Sequence, residues 1–257
     1  RPGAAQDVQQ DGQRDARQDM PDPPEGGDHG HAAQTLKEPE DQHQPQPGFG
    51  IAIDDMMIEN GPLMIVPGSH KRELHSHHQD GAFVGEPVWV PGRIGTALQF
   101  DGIDDYVEIP HDDALNVLTD VTLALWINPE RYVSEGEGWG GIMAKGSPRL
   151  YSLFTTAGGE LHFSTAGVGS VSSQTFPLNE WSHVAAMVVD GGHAYYINGA
   201  PAGTPGSGIN LSGVANTAPV TIGNINETNR FYQGLIDEVY IYGRALSAEE
   251  VMELATK

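Results

Sequence analysis

Short apolar runs recur throughout residues 90–257 and are separated by clusters of Gly, Pro, Asn and Asp. The clearest run, Val121–Ile127, alternates four large apolar residues with Thr122, Ala124 and Trp126. Alternation with a period of two is the pattern of a β-strand that has one face in a core. Many short strands with turn residues between them predict an all-β sandwich or barrel.

Turn and capping signals add detail to this pattern. Asn198-Gly199 predicts a tight hairpin turn, because both residues tolerate a positive φ. A helix is predicted after the capping box Ser247–Glu250, with Val251 and Leu254 on its apolar edge. The further predicted strands are Ala97–Phe100, Tyr106–Ile109, Gly141–Lys145, Leu150–Thr156, Glu160–Ser164, His183–Val189, Ala194–Ile197, Val220–Gly223 and Leu235–Tyr242.

The region before the sandwich has a different character. Residues 1–48 are rich in Gln, Asp, Pro, Arg and His and contain few large apolar residues. Such a segment cannot bury enough surface to offset its conformational entropy. We therefore predict a disordered polar tail at 1–48, a separate segment with two short apolar runs at 49–87, and the β-sandwich at 88–257. Residues 88–257 are expected to fold alone.

Charge and composition narrow the choice of partners. The 257 residues carry a formal net charge of −22, which would repel phosphate backbones and anionic membrane surfaces. We therefore expect no nucleic-acid partner. The chain has no cysteine, which excludes disulfides and thiolate chemistry. No apolar run approaches the roughly 18 residues that span a bilayer, so no membrane insertion is expected. The oligomeric state stays open.

Five motifs follow one another in the sandwich region. They are GTALQFDGIDDYVEIP at 95–110, Trp126, WSHVA at 181–185, YING at 196–199 and GLIDEVYIYGRALSAEEV at 234–251. In this order they resemble the laminin-G-like domains of the concanavalin A-like lectin/glucanase superfamily. The resemblance implies a two-sheet antiparallel β-sandwich of the concanavalin-like jelly-roll type with a short C-terminal helix. It also implies an extracellular or cell-surface module that binds carbohydrate or a surface glycoprotein, and not an enzyme.

The resemblance further implies a structural Ca²⁺ near the rim of the sandwich, where the turn Asp101–Asp105 supplies several hard oxygens. In the residues themselves, Asp237 is one carboxylate in the otherwise apolar row of Leu235, Val239 and Ile241. A buried carboxylate is costly unless it is paired, hydrogen-bonded or bound to metal. We therefore predict Ca²⁺ at Asp101 and Asp237. The alternative is that these acids accept hydrogen bonds from turn amides.

Catalysis has less support. Glucanases of the superfamily carry a Glu-x-Asp-x-Glu cluster on one strand, because retaining chemistry needs two carboxylates about 5 Å apart. The sequence has no such cluster, so no catalytic residue is predicted. Glu135 and Glu137 lie in the Gly-rich stretch Ser134–Trp139, which predicts a mobile loop. Trp139 is the predicted ligand-binding residue, since an exposed indole between glycines can stack on a sugar face.

Residues 52–71, AIDDMMIENGPLMIVPGSHK, resemble the central part of the phytanoyl-CoA dioxygenase family. Enzymes of that family are Fe(II)/2-oxoglutarate oxygenases that bind iron through two His and one carboxylate. The His-x-Asp pair and the distal His and Arg of the family cannot be placed in this sequence. We therefore interpret 49–87 as a truncated fragment. The alternative function, an Fe(II)/2-oxoglutarate-dependent oxygenase with a laminin-G appendage, is disfavoured because the triad is missing.

Overall fold

The computed structural model describes residues 64–65, 79–165, 168–209, 211, 215–225 and 230–257. The predicted tail at 1–48 and most of the predicted fragment at 49–87 lie outside these residues. The strands in chain order are β1 (Met64–Ile65), β2 (Gln79–Asp80), β3 (Ala82–Val84), β4 (Val88–Pro91), β5 (Thr96–Asp101), β6 (Tyr106–Ile109), β7 (Val121–Pro129), β8 (Trp139–Lys145), β9 (Tyr151–Thr156), β10 (Glu160–Ser164), β11 (Gly169–Thr175), β12 (Ser182–Val189), β13 (Gly192–Ile197), β14 (Ala200–Pro201), β15 (Gly206–Ser207), β16 (Val220–Ile222) and β17 (Gln233–Tyr242). Helix α1 (Ala248–Ala255) follows β17.

Two antiparallel sheets pack face to face, which confirms the predicted sandwich. One sheet has the strand order β11-β10-β9-β8-β16-β6-β3, and we call it the seven-stranded sheet. The other has the order β14-β13-β12-β7-β17-β5-β4, with β15 paired to β13, and we call it the eight-stranded sheet. β1 and β2 pair with each other. Some strands that are adjacent in sequence, such as β16 and β17, lie in different sheets, as the crossing connections of a jelly roll require.

The core lies between the two sheets and is built from their inward faces. On β7 the four large apolar residues of the predicted run face this core, while Thr122, Ala124 and Trp126 face outward. The prediction for this strand is therefore confirmed. Asn198 and Gly199 both have a positive φ and connect β13 to β14, as the hairpin signal indicates.

Helix α1 covers one half of the outer face of the eight-stranded sheet. Its capping box is present, with the Ser247 hydroxyl accepting from the Glu250 amide and the Glu250 carboxylate accepting from the Ser247 amide. Val251 and Leu254 pack with alanines of β7 and β12, which confirms the predicted apolar edge. No described element covers the outer face of β4 and β5. Among the described residues, no helix has the length and apolarity needed to span a bilayer.

Candidate functional site

Asp237 lies on β17 with its side chain on the outer face of the eight-stranded sheet. A bulge follows it, where Glu238 has a φ of 49°. Val239 and Ile241 therefore face the core, while Asp237 faces outward opposite Trp126 of β7. The expectation that Asp237 shares one face with Val239 and Ile241 is wrong, because the extra residue of the bulge reverses the alternation.

Two backbone amides satisfy the buried carboxylate of Asp237. Its Oδ2 accepts a hydrogen bond from the Ile94 amide and its Oδ1 from the Glu238 amide, both at 2.9 Å. Asp101 pairs with Gln233, four residues before Asp237, so the two aspartates are separated by about 13 Å along the strands. The structure does not bring Asp101 and Asp237 together. Asp237 instead binds the turn between β4 and β5 to β17, through its hydrogen bond from the Ile94 amide.

The segment Asp101–Asp105, which we call the acidic turn, is shaped by its own carboxylates. Asp101 Oδ1 accepts from the amides of Ile103 at 2.7 Å and Asp104 at 3.4 Å. The buried Asp105 accepts from the amides of Asp101 at 3.0 Å and Glu86 at 2.7 Å, which ties the turn to the segment before β4. Asp101 and Asp105 therefore accept hydrogen bonds from backbone amides, as the alternative stated for Asp101 expects, and this leaves the calcium prediction untested.

Three carboxylates of the acidic turn are close enough to share a cation. One oxygen from each of Asp101, Asp104 and Asp105 lies within 4.8 Å of the others. Because Ca²⁺ binds oxygens at roughly 2.3–2.6 Å, two ligands on opposite sides of the ion are about 5 Å apart. The donor set therefore fits Ca²⁺, with Asp104 and Asp105 in the role predicted for Asp237. In the described part of the chain, no other group of three potential metal ligands is this close.

Trp139 is the first residue of β8, on the outer face of the seven-stranded sheet. Its ring centroid lies 4.5 Å from that of His162 on β10 and 6.2 Å from that of Phe154 on β9. We call these three residues the aromatic patch. Phe154 is buried, but Trp139 and His162 are half-buried, so part of the indole faces solvent. The sequence predicts Trp139 in a mobile loop, whereas the structure places it at the start of a strand, packed against two rings.

Arg149 lies against the aromatic patch. Its guanidinium carbon is 5.2 Å from the centroid of the Phe154 ring, which is a cation–π contact. Burial, together with the positive charge of Arg149, lowers the pKa of His162 to about 4. The imidazole is therefore neutral at neutral pH. The patch combines an indole with polar groups that can hydrogen-bond to hydroxyls.

The Gly-rich stretch before Trp139 is closed by hydrogen bonds. The Ser134 amide donates to the Trp139 carbonyl at 3.2 Å, and the Ser134 hydroxyl donates to the Phe231 carbonyl at 2.7 Å. Glu137 Oε2 and Arg230 Nε form an ion pair at 3.2 Å. These contacts hold the stretch against the segment that leads into β17, so Glu137 helps to position the chain beside Trp139.

Phe154, His162 and Arg149 were not identified as site residues from the sequence. The pairing of β8 with β9 and of β9 with β10, which the sequence does not specify, brings Phe154 and His162 to Trp139, while Arg149 lies in the connection between β8 and β9. The alternation along β9 and β10 could have indicated them. Leu153 and Leu161 face the core, so the adjacent Phe154 and His162 must lie on the outer face of the same sheet.

Family models match two regions of the chain. A model described as the concanavalin A-like lectin/glucanases superfamily matches residues 101–252, which cover most of the sandwich. A phytanoyl-CoA dioxygenase model matches residues 4–103. Most of the second match lies outside the described residues, and its last part overlaps β2 to β5.

One relative is the adhesion G-protein coupled receptor V1 of Danio rerio, which is 28% identical over 214 residues. The match covers 78% of this chain and 3% of the receptor, so the chain spans a small part of that relative. Solved structures with the same fold include domain 4 of AbnA, an extracellular arabinanase from Geobacillus stearothermophilus, in complex with arabinotriose. It is 20% identical, covers 80% of this chain and 97% of that domain, and has a TM-score of 0.59.

Another solved structure with this fold is the binding domain of a botulinum neurotoxin of serotype D/C. It is 14% identical, with a TM-score of 0.62, and the match covers 82% of this chain and 52% of that domain. At these identities the likeness concerns the fold.

Proposed function

The chain belongs to the concanavalin A-like lectin/glucanases superfamily, and from this premise we propose that its sandwich is a non-catalytic module that binds carbohydrate or a surface glycoprotein. The observation that carries this proposal is the partly exposed indole of Trp139, packed against the rings of His162 and Phe154. Sugar rings have apolar C–H faces, which pack on aromatic rings whose polar neighbours bind the hydroxyls.

The neighbouring strands hold the Trp139 side chain in a position suited to ligand binding. Its indole is supported from β9 and β10 of one sheet, so little conformational entropy is lost when a ligand packs on it. Arg149 adds hydrogen-bond donors next to the rings. An arabinotriose complex in one structural neighbour and the binding domain of a toxin in another support this function by analogy of fold.

A glycan array probed with the full chain tests the proposal. Trp139→Ala is expected to weaken binding to the recognised glycan at least about tenfold, because the stacking surface is lost. Trp181→Ala is the matched control, since Trp181 is also half-buried but lies outside the patch. At equal concentrations of folded protein, Trp181→Ala should bind the glycan as tightly as the wild type does. A silent array, or equal binding by Trp139→Ala, would contradict the proposal.

We include calcium in this proposal. Asp101, Asp104 and Asp105 would hold the ion, with waters and backbone carbonyls completing its shell. Bound there, Ca²⁺ would neutralise carboxylates that repel one another and fix the turn between β5 and β6. Its expected role is stabilisation of the rim.

An extracellular or cell-surface location also belongs to the proposal. The adhesion receptor from Danio rerio supports it, because the shared segment lies in a protein whose name is that of a surface receptor. A surface location would give the module access to glycans and glycoproteins.

The second candidate function is an Fe(II)/2-oxoglutarate-dependent oxygenase. The phytanoyl-CoA dioxygenase match over residues 4–103 favours it. The His-x-Asp sequence at His78–Asp80 argues against it, because it follows the family-like stretch at 52–71, whereas the iron-binding pair of the family precedes that stretch. Incubation of the full chain with Fe(II), ascorbate and 2-oxoglutarate distinguishes the two functions. We expect no succinate above the level of a protein-free control, and sustained succinate release would favour the oxygenase.

A further inference from the structure

The outer face of the eight-stranded sheet is covered unequally. Helix α1 packs over β12 and β14, at one side of the sheet. At the other side, no described element lies over β4 and β5. Val88 is 56% exposed there, and Gln99 is exposed on β5. An open sheet face with apolar side chains is a feature that protein partners use.

A straight row of side chains crosses this open half. The register pairs Val88 with Gln99, Gln99 with Leu235 and Leu235 with Asn128, so four strands contribute one residue each. The row alternates apolar and amide side chains. Neighbouring strands are about 4.8 Å apart, so the row is about 14 Å long. A partner lying along it would meet apolar contacts and hydrogen-bonding groups in turn.

Two recesses meet along this row and share Gln99 in their walls. One, of about 620 Å³, extends to the acidic turn, and the other, of about 350 Å³, extends to Glu130 and Asn179. We call the two recesses together the outer groove. Since an extended peptide advances about 3.3 Å per residue, the row alone accommodates four to five residues of a partner, by order of magnitude.

The rim of the outer groove is negatively charged. Asp101, Asp104 and Glu130 are all exposed at its walls. The arginines nearby are engaged with the protein: Arg131 donates to the Gly102 carbonyl at 2.9 Å, and the Arg93 guanidinium lies 4.7 Å from the centroid of the Trp126 ring. The groove therefore presents carboxylates to a ligand, and no aromatic side chain lines its described walls for a sugar to stack on.

We propose that the outer groove binds an extended protein segment in which lysine or arginine side chains alternate with apolar ones. The basic side chains pair with Glu130 and, in the calcium-free chain, also with Asp101, and the apolar side chains pack on Val88 and Leu235. This surface lies on the opposite sheet from the aromatic patch, so a glycan and a protein segment can bind simultaneously. Charge complementarity selects a basic segment, because an acidic one would be repelled by the rim.

Binding of a synthetic peptide to the full chain tests this proposal. The probe is a short labelled peptide in which lysine alternates with valine and threonine, measured by fluorescence anisotropy in EDTA at physiological ionic strength. Glu130→Gln keeps the acceptor for Gln233 but removes a rim charge, and it is expected to weaken binding about threefold to fivefold. Leu235→Ser is expected to weaken binding by a similar factor through lost apolar contact.

The matched control is Glu135→Gln, which removes the same charge from an exposed position outside the groove. It should leave the affinity within a factor of about 1.5 of the wild type, because Glu135 lines neither recess and solvent screens its charge from a peptide in the groove. If Glu135→Gln and Glu130→Gln weaken peptide binding equally, or if Leu235→Ser has no effect, the basic peptide is attracted only by the net charge of −22 and not by the outer groove. Either result, or the absence of binding by the wild type, would overturn the proposal.

Discussion

Backbone amides donate hydrogen bonds to both oxygens of the buried Asp237 carboxylate. Its two oxygens accept from amides on either side of it in space, from the turn at Ile94 and from the bulge at Glu238. Asp237 has zero exposure, and a buried charge without a partner is costly, so the sequence correctly predicts that this carboxylate has a partner. The nature of that partner depended on a bulge that local sequence does not reveal.

The calcium prediction therefore moves to the acidic turn. The melting temperature of the full chain is expected to be higher in millimolar Ca²⁺ than in EDTA. If the Ca²⁺ concentration is a hundredfold above its Kd, the free energy of unfolding should rise by about 2.7 kcal/mol. Asp104→Asn should lose most of this response, because Asp104 is one of three carboxylates within reach of the ion. Thermal melts by circular dichroism would measure both. Equal melting temperatures with and without calcium would rule out the site.

Asp237→Asn is the informative control for the calcium experiment. The amide nitrogen of Asn would face a backbone donor, at Ile94 or at Glu238, and leave it unpaired. A loss of about 1–3 kcal/mol is expected from an unsatisfied buried group. This loss should be the same in calcium and in EDTA, because Asp237 lies far from the acidic turn.

His183 gives a prediction about pH. It is completely buried, packs edge-on against Trp126, and has no hydrogen-bond partner at either ring nitrogen. Burial, together with the positive charge of Lys257, lowers the pKa of His183 from 6.5 to about 4. As the pH falls below 6.5, the unfolded state gains a proton that the folded state does not accept. The contribution of the neutral His183 to the free energy of unfolding is therefore fully present above pH 6.5 and is lost as the pH falls towards 4.

His183→Phe should flatten the pH dependence of stability. The phenyl ring cannot bind a proton and leaves no buried nitrogen unpaired. Between pH 7.5 and pH 4.5, urea unfolding should show a loss for the wild type that exceeds the loss for the variant by on the order of 2 kcal/mol. Identical losses in the two proteins would mean that His183 is not the group that titrates.

At the scale of elements, the predictions succeeded where one face of a strand or helix lies in the core. β7 and α1 were predicted from alternation and from a capping box, and both are confirmed. β11 was missed because it is an edge strand of mainly Ser, Thr and Gln, with no apolar alternation. Edge strands are paired on one side only, so their sequences are weakly constrained by packing.

The candidate site was less predictable than the fold. Trp139 was identified from its type and its Gly-rich surroundings, but its strand position and its ring partners were not. Phe154 and His162 join it through the register of three consecutive strands, β8, β9 and β10. Register is set by long-range packing and by bulges, one of which lies in β8 itself between Gly141 and Met143.

At the scale of the whole molecule, the two sheets have different outer faces. The seven-stranded sheet carries the aromatic patch, and the eight-stranded sheet carries both helix α1 and the outer groove. The formal net charge of −22 disfavours phosphate-bearing partners through electrostatic repulsion. Neutral ligands, such as most sugars, and basic ones, such as the proposed protein segment, are not repelled by this charge.

The start of the sandwich gives the last prediction. A boundary at residue 88 stays a prediction, but the structure gives a reason to place the start before β3. Ala82–Val84 pairs with β6, the ring of Phe83 lies 6.1 Å from that of Trp89, and the Glu86 amide donates to the buried Asp105. A chain truncated to 88–257 would lose these contacts and leave an oxygen of Asp105 without this donor.

We therefore expect a difference between two truncated chains. Residues 79–257 should melt within about 2 °C of the full chain, because every strand of both large sheets is retained. Residues 88–257 should melt about 5–10 °C lower, which corresponds to roughly 2–4 kcal/mol for lost strand hydrogen bonds and an unpaired carboxylate oxygen. Differential scanning calorimetry of the three proteins would measure this. Equal melting of both truncated chains would show that β3 adds little, and that residue 88 is a sufficient start for the sandwich.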